Sequence, residues 1–400
     1  MNAATDFAQL RRDLHAHPEL GFQEDRTAAI VADKLAGWGI EVHSGIARTG
    51  VVGVITGRGD SDSAGARTRA IGLRADMDAL PVHEHNSFAH RSRPPGTMHA
   101  CGHDGHTAML LAAAQQLALQ RDFDGTVYVI FQPAEEGRGG AQAMLDQGLF
   151  ERFPMQAVFG MHNWPGLPVG SFAVSPGPVM ASASTFKVIV HGRGSHAALP
   201  HNGIDPVLVA CQLVQAWQTI VSRNVKPIDT AVLSVTMLHA GQATNVIPDS
   251  CTLQGTVRCF RTAVLDTVEE RFRTIADHTA QAFGARVEVE FLRRAPPVVN
   301  HAHEALFAAG VLRDLFGSDR VLAQEPSMPS EDFAFMLLAK PGCYVFIGNG
   351  EGAHRAVGHG EGPCTLHNPS YDFNDNLLPL GAAFWVRLAQ RWLAAPAVSR

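Results

Sequence analysis

The sequence predicts an α/β protein with a main domain built on a mixed sheet, helices on both faces of that sheet, and an inserted α+β sandwich of βαββαβ order. Three observations lead to this fold class. The chain has 400 residues, more than one hydrophobic core usually holds. Strand-like apolar runs alternate with helical patterns in the first half, as in sheets covered by helices. Near residue 180 the order changes to that of a small split sandwich.

The first half of the chain supplies the elements of the main sheet. Apolar periodicity predicts helices over 6–17, 27–35, 106–119 and 140–147, the third of them strongly amphipathic. Short apolar runs predict strands over 51–55, 70–73, 127–131 and 157–161. The stretch 57–69 is rich in Gly, Ser and Asp and predicts an exposed loop.

The middle of the chain predicts a separate inserted domain. Strands are expected over 185–190, 231–237, 253–257 and 287–291, with helices over 206–222 and 264–283. Pro296 and Pro297 mark the return to the main domain, where helices are expected over 304–315, 332–338 and 377–393 and a strand over 344–347. The predicted main domain is therefore 1–181 with 295–400, and the inserted domain is 182–294.

Composition excludes several classes of partner. The net charge is −6, and a mildly acidic protein lacks the basic stripe that nucleic-acid binding needs. No apolar run reaches the length of a membrane span, and the N-terminus lacks the pattern of a signal peptide. None of the six cysteines forms a CxxC pair, which indicates reduced, mostly buried thiols. A cytoplasmic protein without nucleic-acid or membrane partners is the expectation.

The most informative segment is 98–106, with the sequence MHACGHDGH. It offers thiolate, imidazole and carboxylate groups within nine positions at the start of a predicted helix. Soft and borderline donors at this spacing suit zinc, manganese, cobalt or nickel. A loop of core histidines is the alternative, but four possible ligands beside glycines favour a metal site.

Two adjacent carboxylates, Glu135 and Glu136, follow the predicted strand 127–131. Neighbouring carboxylates at a strand end repel one another unless a cation compensates them. Such a pair can divide the work: one binds metal, and the other takes a proton from the attacking water. Two solvated loop glutamates are the simpler alternative, which the preceding apolar strand and Pro133 disfavour.

Further candidates follow other strands or lie far along the chain. His162 comes at the end of the strand predicted over 157–161, and His367 lies in a distant LHNP segment. Either histidine alone is more often structural, but ligands collected from several strand ends match the place where α/β sheets build sites. Asp76 and Asp78 point to the same side if their segment is extended, and they could ligate metal or orient ligand histidines. A strand-ending turn explains this pair equally well.

Together these motifs resemble the hippurate hydrolase and indoleacetyl-amino acid hydrolase group of the aminoacylase and carboxypeptidase-like metallohydrolases. The matching stretches run from LHAHPEL at 14–20 to LHNP at 366–369 and so cover nearly the whole chain. The resemblance implies a dinuclear site with Glu135 as the catalytic base. The ligands it implies are Cys101, His103, Glu136, His162 and His367, with Cys101 as the bridge.

The resemblance extends to the inserted domain. The segment 192–198 is similar to the family segment whose histidine, His196 here, reaches the substrate carbonyl, often from a partner subunit. Asn245 and Arg258 lie in segments similar to those that contact the substrate. Arg258 is a plausible clamp for a free carboxylate, because guanidinium pairs with carboxylates through two hydrogen bonds. The family implies a homodimer, or a tetramer of dimers, through this lid and dimerisation domain.

The function implied is hydrolysis of the amide bond of N-acyl-L-amino acids with two divalent metal ions per chain. Hippurate-like, N-acetyl and indoleacetyl conjugates are all open as substrates. The alternatives are an aminopeptidase or dipeptidase of the same superfamily and a catalytically degenerate metal-binding protein. The absence of a GxSxG elbow disfavours a serine hydrolase, and the absence of a GxGxxG after a strand excludes a dinucleotide-binding protein.

Overall fold

The computed structural model describes residues 3–59 and 69–394, so most of the loop predicted over 57–69 lies outside the described residues. The chain forms two compact units. The first comprises Met1–Gly177, Val299–Glu325 and Asp332–Arg400, and the second comprises Pro178–Val298 and Pro326–Glu331. The predicted domain boundaries fall a few residues inside those of the second unit. Residues 326–331, which the sequence placed in the main domain, group with the second unit instead.

The first unit is built on an eight-stranded mixed sheet. Its strands are β1 (Glu41–Ile46), β2 (Gly50–Thr56), β3 (Ala70–Asp76), β4 (Thr126–Gln132), β5 (Ala157–Pro165), β6 (Phe172–Ala173), β15 (Val321–Leu322) and β16 (Gly342–Gly350). Their order across the sheet is β1-β2-β4-β3-β5-β16-β6-β15. Four central neighbours, β4, β3, β5 and β16, run parallel to one another. Their carboxyl ends therefore meet at one edge, where open α/β sheets place their sites.

Helices cover both faces of this sheet, as predicted. Phe159 and Gly160 are consecutive in β5 and so face opposite sides. The ring of Phe159 lies 5.6 Å from that of Trp392 in the helix Leu377–Ala394. A side chain at Gly160 would meet Tyr344 and Phe333, the latter in the helix Phe333–Ala339. The remaining helices of this unit are Ala3–Ala16, Asp25–Gly37, His103–Gln120, Glu135–Arg138, Gly140–Asp146, Leu149–Arg152 and Ala302–Phe316.

The helix His103–Gln120 differs from its prediction in two ways. It begins at His103 rather than three residues later, and it is buried over most of its circumference rather than amphipathic. Most of its first twelve residues are alanine, glycine, leucine, methionine or histidine, which allow close packing on all sides. Because this helix is enclosed, the side chains of its first turn are held in a dry environment beside the carboxyl ends of the strands.

The second unit has the predicted βαββαβ order. Its sheet, in the order β10-β12-β8-β13, is antiparallel throughout and consists of β8 (Ala183–His191), β10 (Ala231–Ala240), β12 (Ser250–Cys259) and β13 (Arg286–Ala295). The helices Pro206–Thr219 and Thr262–Ala282 form the second layer. Trp217 stacks on Phe272 with ring centroids 4.2 Å apart, and this pair joins the two helices in one core.

Short strands complete the chain: β7 (Gly177–Met180), β9 (Ser195–His196), β11 (Val246–Ile247) and β14 (Val298–Asn300). The fold class predicted from sequence is confirmed. Three strands of the main sheet were not predicted: β1, β6 and β15. The first is a half-exposed edge strand without a continuous apolar run, and the other two are only two residues long. Among the described helices, none combines the length and the apolar character that a membrane span requires.

Candidate metal centre

The loop before the helix His103–Gln120 is shaped by Gly102, whose φ of +91° lies in the left-handed region. This turn separates Cys101 from His103 and lets both side chains enter the same buried space. The loop is fixed from two sides. Asn163 donates from Nδ2 to the carbonyl of Cys101 at 2.7 Å, and the His367 N–H donates to the carbonyl of Ala100 at 2.7 Å.

The structure brings the five predicted ligands together. Two sets of three side chains converge so that their ligand atoms lie within 4.8 Å of one another: Cys101, His103 and His162, and Cys101, Glu136 and His367. Sγ of Cys101 lies 3.3 Å from Nε2 of His162, and Nε2 of His367 lies 3.3 Å from Oε1 of Glu136. Cys101 belongs to both sets, which is the position that a bridging ligand requires.

The donor set fits a divalent transition metal. Nε2 of His103 and Oε1 of Glu136 are buried, 4.0 Å apart, and make no hydrogen bond among the described residues. Buried polar atoms normally have hydrogen-bond partners, so two facing buried atoms without one, beside a thiol, fit the binding of a cation. Burial lowers the pKa of His103, but Asp76, Asp78 and Glu136 outweigh it and raise that pKa to about 10. The surrounding carboxylates thus stabilise a positive charge at the position of the His103 ring.

The environment of His162 keeps its imidazole neutral, as a metal ligand must be. Its Nδ1 donates to the carbonyl of Asn163 at 2.5 Å, which leaves the lone pair of Nε2 directed toward Cys101. Burial, followed by the neighbouring His106, keeps the pKa of His162 well below its usual value. A neutral imidazole with one nitrogen bonded to a backbone carbonyl is the usual form of a metal-binding histidine.

Asp76 and Asp78 approach opposite nitrogens of the His103 ring. Oδ1 of Asp78 lies 3.2 Å from Nδ1, whereas Oδ2 of Asp76 lies 3.8 Å from Nε2. The second oxygen of Asp78 accepts the Glu136 N–H at 2.9 Å, so this carboxylate orients two candidate ligands at once. Asp76 instead accepts from Nδ1 of His106 at 2.6 Å and from Nη1 of Arg74 at 2.7 Å.

Glu135 lies beside this cluster, with a carboxylate oxygen within 4.8 Å of ligand atoms of His103 and Glu136. The residue before it, Ala134, has a left-handed backbone with φ +56° and ψ +42°, and this turn directs Glu135 toward His103 and Glu136. Glu135 is 9% exposed, and its Oε1 accepts the Asp332 N–H at 3.2 Å. A carboxylate that is nearly buried, oriented by a backbone amide and close to candidate metal ligands has the placement that a general base requires.

Several residues of the centre were not predicted as part of it. The side-chain amide of Asn163 donates to the Cys101 carbonyl, and its Oδ1 accepts from the Tyr371 hydroxyl at 2.7 Å. The backbone N–H of Asn163 donates to Nε2 of His106. Asp332 accepts from Nε2 of Gln132 at 2.7 Å and from the Ala141 N–H at 2.9 Å. One signal in the sequence could have pointed to these residues. Arg74 lies in an apolar strand, and a buried arginine needs acidic partners such as Asp332.

The predicted substrate-binding residues lie in the second unit. His196 in β9 pairs with Val246 in β11, and the Ala197 N–H donates to the carbonyl of Asn245 at 3.0 Å, so His196 and Asn245 are neighbours on an exposed surface. The Ala198 N–H donates to Nδ1 of His196 at 3.0 Å. Arg258 is half-buried in β12, and burial lowers its pKa.

Comparison with known proteins places this arrangement among metallohydrolases. Residues 72–391 match the model of peptidase family M20/M25/M40. The hippurate hydrolase of Campylobacter jejuni is 41% identical over 97% of both chains. An N-acetyl-L-cysteine deacetylase of Bacillus subtilis is 38% identical over 96% of this chain and 87% of its own length. A solved Bacillus subtilis structure, described as a dinuclear metal-binding peptidase of the M20 family, is 34% identical over 98% of both chains with a TM-score of 0.83.

Proposed function

The chain belongs to peptidase family M20/M25/M40, and from that premise we propose that it is a metal-dependent amidohydrolase that cleaves N-acyl amino acids with two divalent metal ions. The observation that carries the proposal is the position of Cys101 in both ligand sets, one with His103 and His162 and one with Glu136 and His367. Relatives named as a hippurate hydrolase and an N-acetyl-L-cysteine deacetylase support an N-acyl amino acid substrate.

The chain's own residues account for the proton transfers. Divalent cations held by these five side chains would supply Lewis-acid polarisation and would lower the pKa of the attacking water. Glu135 takes a proton from that water and passes it to the leaving amine. The Asp332 N–H on Oε1 keeps the Glu135 carboxylate in place between the two transfers. His162 stays neutral because its Nδ1 proton is committed to the Asn163 carbonyl.

We also propose that His196, Asn245 and Arg258 contact the substrate. The Ala198 N–H occupies Nδ1 of His196, so the ring proton is placed on Nε2, where it can donate to the amide oxygen. Arg258 would pair with the free carboxylate of the amino acid. Replacing Arg258 with Met should raise KM for N-acyl amino acids far more than it lowers kcat.

The second unit is proposed as the lid and dimerisation domain. Its edge strand β10 exposes the apolar side chains of Met237 and Leu238, which are 44% and 42% exposed. Exposed edge strands pair readily with another chain, so a homodimer, or a tetramer of dimers, is expected by light scattering. A cytoplasmic location is proposed because all six cysteines are unpaired.

The central test combines a substrate panel with one substitution. Purified enzyme would be given hippurate, an N-acetyl amino acid, an indoleacetyl amino acid and a dipeptide with a free amine, and amine release would be measured. We expect hydrolysis of at least one N-acyl amino acid in preference to the dipeptide. Glu135→Gln should keep about two metal ions per chain and lose about 10²- to 10⁴-fold in kcat.

The matched control is Glu151→Gln, which changes an exposed glutamate of the short helix Leu149–Arg152. It should leave both metal content and kcat unchanged. Wild-type kcat in Glu135→Gln would remove Glu135 as the base. A metal-loaded wild-type enzyme that cleaves the dipeptide but none of the conjugates would move the function to a dipeptidase.

A further inference from the structure

Glu135 follows a backbone conformation that needs support. Ala134 is left-handed, with φ +56° and ψ +42°, although it is not glycine. A left-handed conformation costs a non-glycine residue about 1–2 kcal/mol, so it persists only where surrounding groups hold it. The Ala134 N–H is buried, and it donates at 2.8 Å to Oε1 of Glu24.

Glu24 is an unusual partner for this turn. It occupies the N-cap position of the helix Asp25–Gly37 but makes no side-chain capping bond there. Its carboxylate is fully buried; Oε1 receives the Ala134 N–H, and Oε2 receives the hydroxyl of Thr49 at 2.6 Å. The helix is capped instead by Glu19, which accepts the N–H groups of Arg26 and Thr27.

The same N-terminal segment also supports the turn sterically. A Cβ added to Gly21 would lie 3.0 Å from Cα of Ala134, so a side chain here would press on the turn and force it to shift by a few tenths of an ångström. Burying a carboxylate is costly, and a capping role would not require it. Both contacts converge on the residue immediately before Glu135.

We infer that Glu24 is a positioning residue for the general base: its carboxylate fixes the left-handed turn at Ala134 and thereby places the Glu135 side chain. This inference rests on the proposed function of Glu135. The neighbouring ligand Glu136 has a separate anchor, because its N–H is held by Asp78 at 2.9 Å. Loss of Glu24 should therefore disturb the base while the metal ligands stay in place.

Three variants separate positioning from general stabilisation. Glu24→Met removes both hydrogen bonds at similar volume. Glu24→Gln keeps a carbonyl oxygen for the Ala134 N–H, and the Thr49 hydroxyl can turn to accept from the new amide. Glu19→Ala is the structural control, because it removes the cap of the same helix without touching Ala134.

The measurements are kcat and KM for the best N-acyl amino acid, metal content, the melting temperature and crystal structures of the metal-loaded variants. Glu24→Met should lower kcat about 10- to 100-fold, with KM and metal content within about twofold of wild type. Glu24→Gln should recover most of kcat. Glu19→Ala should lower the melting temperature and leave kcat unchanged. Wild-type kcat in Glu24→Met, or equal losses in the Met and Gln variants, would overturn the inference.

One further variant and one structural measurement keep the inference testable. The variant covers the case in which Glu24→Met folds poorly, and the measurement covers the case in which the substrate assignment fails. Gly21→Ala presses on Ala134 without leaving a buried group unpaired, and it should give the same loss of kcat with metal retained. If wild type cleaves no N-acyl amino acid, the proposed function fails. The crystal structures would still show whether Glu24 positions the Glu135 side chain. A Glu135 carboxylate displaced by about 1 Å or more in Glu24→Met supports positioning, and an unmoved one refutes it.

Discussion

Asp78 and His103 form a buried pair, with Oδ1 of Asp78 lying 3.2 Å from Nδ1 of the imidazole. The contact fixes the ring so that Nε2 faces the candidate metal centre. The other oxygen of Asp78 accepts the Glu136 N–H at 2.9 Å. One carboxylate therefore sets the positions of two candidate ligands that are 33 residues apart in the 400-residue sequence.

Replacing Asp78 with Asn should weaken metal binding about 10- to 100-fold, as loss of groups that orient metal ligands commonly does. Asparagine has one acceptor oxygen, so it cannot serve both His103 and the Glu136 N–H. Competition with a fluorescent chelator would measure the affinity. Asp33→Asn, an exposed change in the helix Asp25–Gly37, is the control. Equal affinities in the two variants would show that Asp78 does not support the ligands.

Cys101 can be tested against a second buried cysteine. Cys101 is 7% exposed and Cys343, in the interior strand β16, is fully buried. Cys101→Ala should lose metal and amine release together, because both ligand sets contain this thiol. Cys343→Ala should keep both and lose only some stability. Full metal content in Cys101→Ala would remove the thiol from the site and leave Asp76 as the next candidate ligand.

The sequence predicts those residues of this centre that stand close together in short motifs, and it does not predict distant partners that lie outside such motifs. His103 and Glu136 stand in motifs whose donor types are visible within a few positions. Asp78, which contacts both of them, was also predicted as a possible orienting group. The groups that hold the general base were not predicted, because they are distant: the Asp332 N–H reaches Glu135 across 197 residues, and Glu24 reaches Ala134 across 110. Such hydrogen bonds depend on the path of the folded chain, which local patterns do not specify.

In the fold, too, local patterns predict the elements but not the distant packing that buries them. The βαββαβ order of the second unit was predicted because each element there has its own periodicity. The helix His103–Gln120 was predicted as amphipathic, yet it is enclosed on nearly all sides. Its burial arises from packing against the helix Leu377–Ala394, in which Gly381 lies against Met109. A partner so far along the chain leaves no trace in the local sequence.

Gly102 should not tolerate a side chain. A Cβ there would lie 2.4 Å from Nδ2 of Asn163 and 2.5 Å from the Tyr371 hydroxyl, in addition to the strain of a φ of +91°. Gly96 is the matched control, with a φ of +76° but nothing within 4 Å. Gly102→Ala should cost about 1–3 kcal/mol more than Gly96→Ala in urea unfolding and should also reduce metal content. Equal losses in the free energy of unfolding would mean that Asn163 can move away from the new Cβ without destabilising the protein.

His15 should make stability depend on alkaline pH. Burial lowers its pKa, but hydrogen bonds to Asp104 and Glu84 outweigh burial and raise the pKa from 6.5 to about 10. Its contribution is therefore complete below pH 6.5 and is lost as the pH rises through about 10. In that window the free energy of unfolding should fall by up to about 1.4 kcal/mol per pH unit. His15→Gln should lack this slope in urea unfolding of metal-loaded protein at pH 7 to 9.5; an unchanged slope would mean that His15 is neutral in the folded state.

Arg11 and Arg12 share one partner, Asp375, and differ in burial. The Arg11 side chain is 1% exposed and also lies 3.0 Å from Asp372, whereas the Arg12 side chain is 51% exposed. Arg11→Met leaves buried carboxylates without a cation, which should cost about 3–5 kcal/mol. Arg12→Met breaks a solvated pair and should cost less than about 1 kcal/mol, with the cost shrinking further in high salt. Urea unfolding of the two variants at low and high salt measures both terms. Similar losses in the two variants would show that the burial of Arg11 does not increase the contribution of its ion pairs to stability.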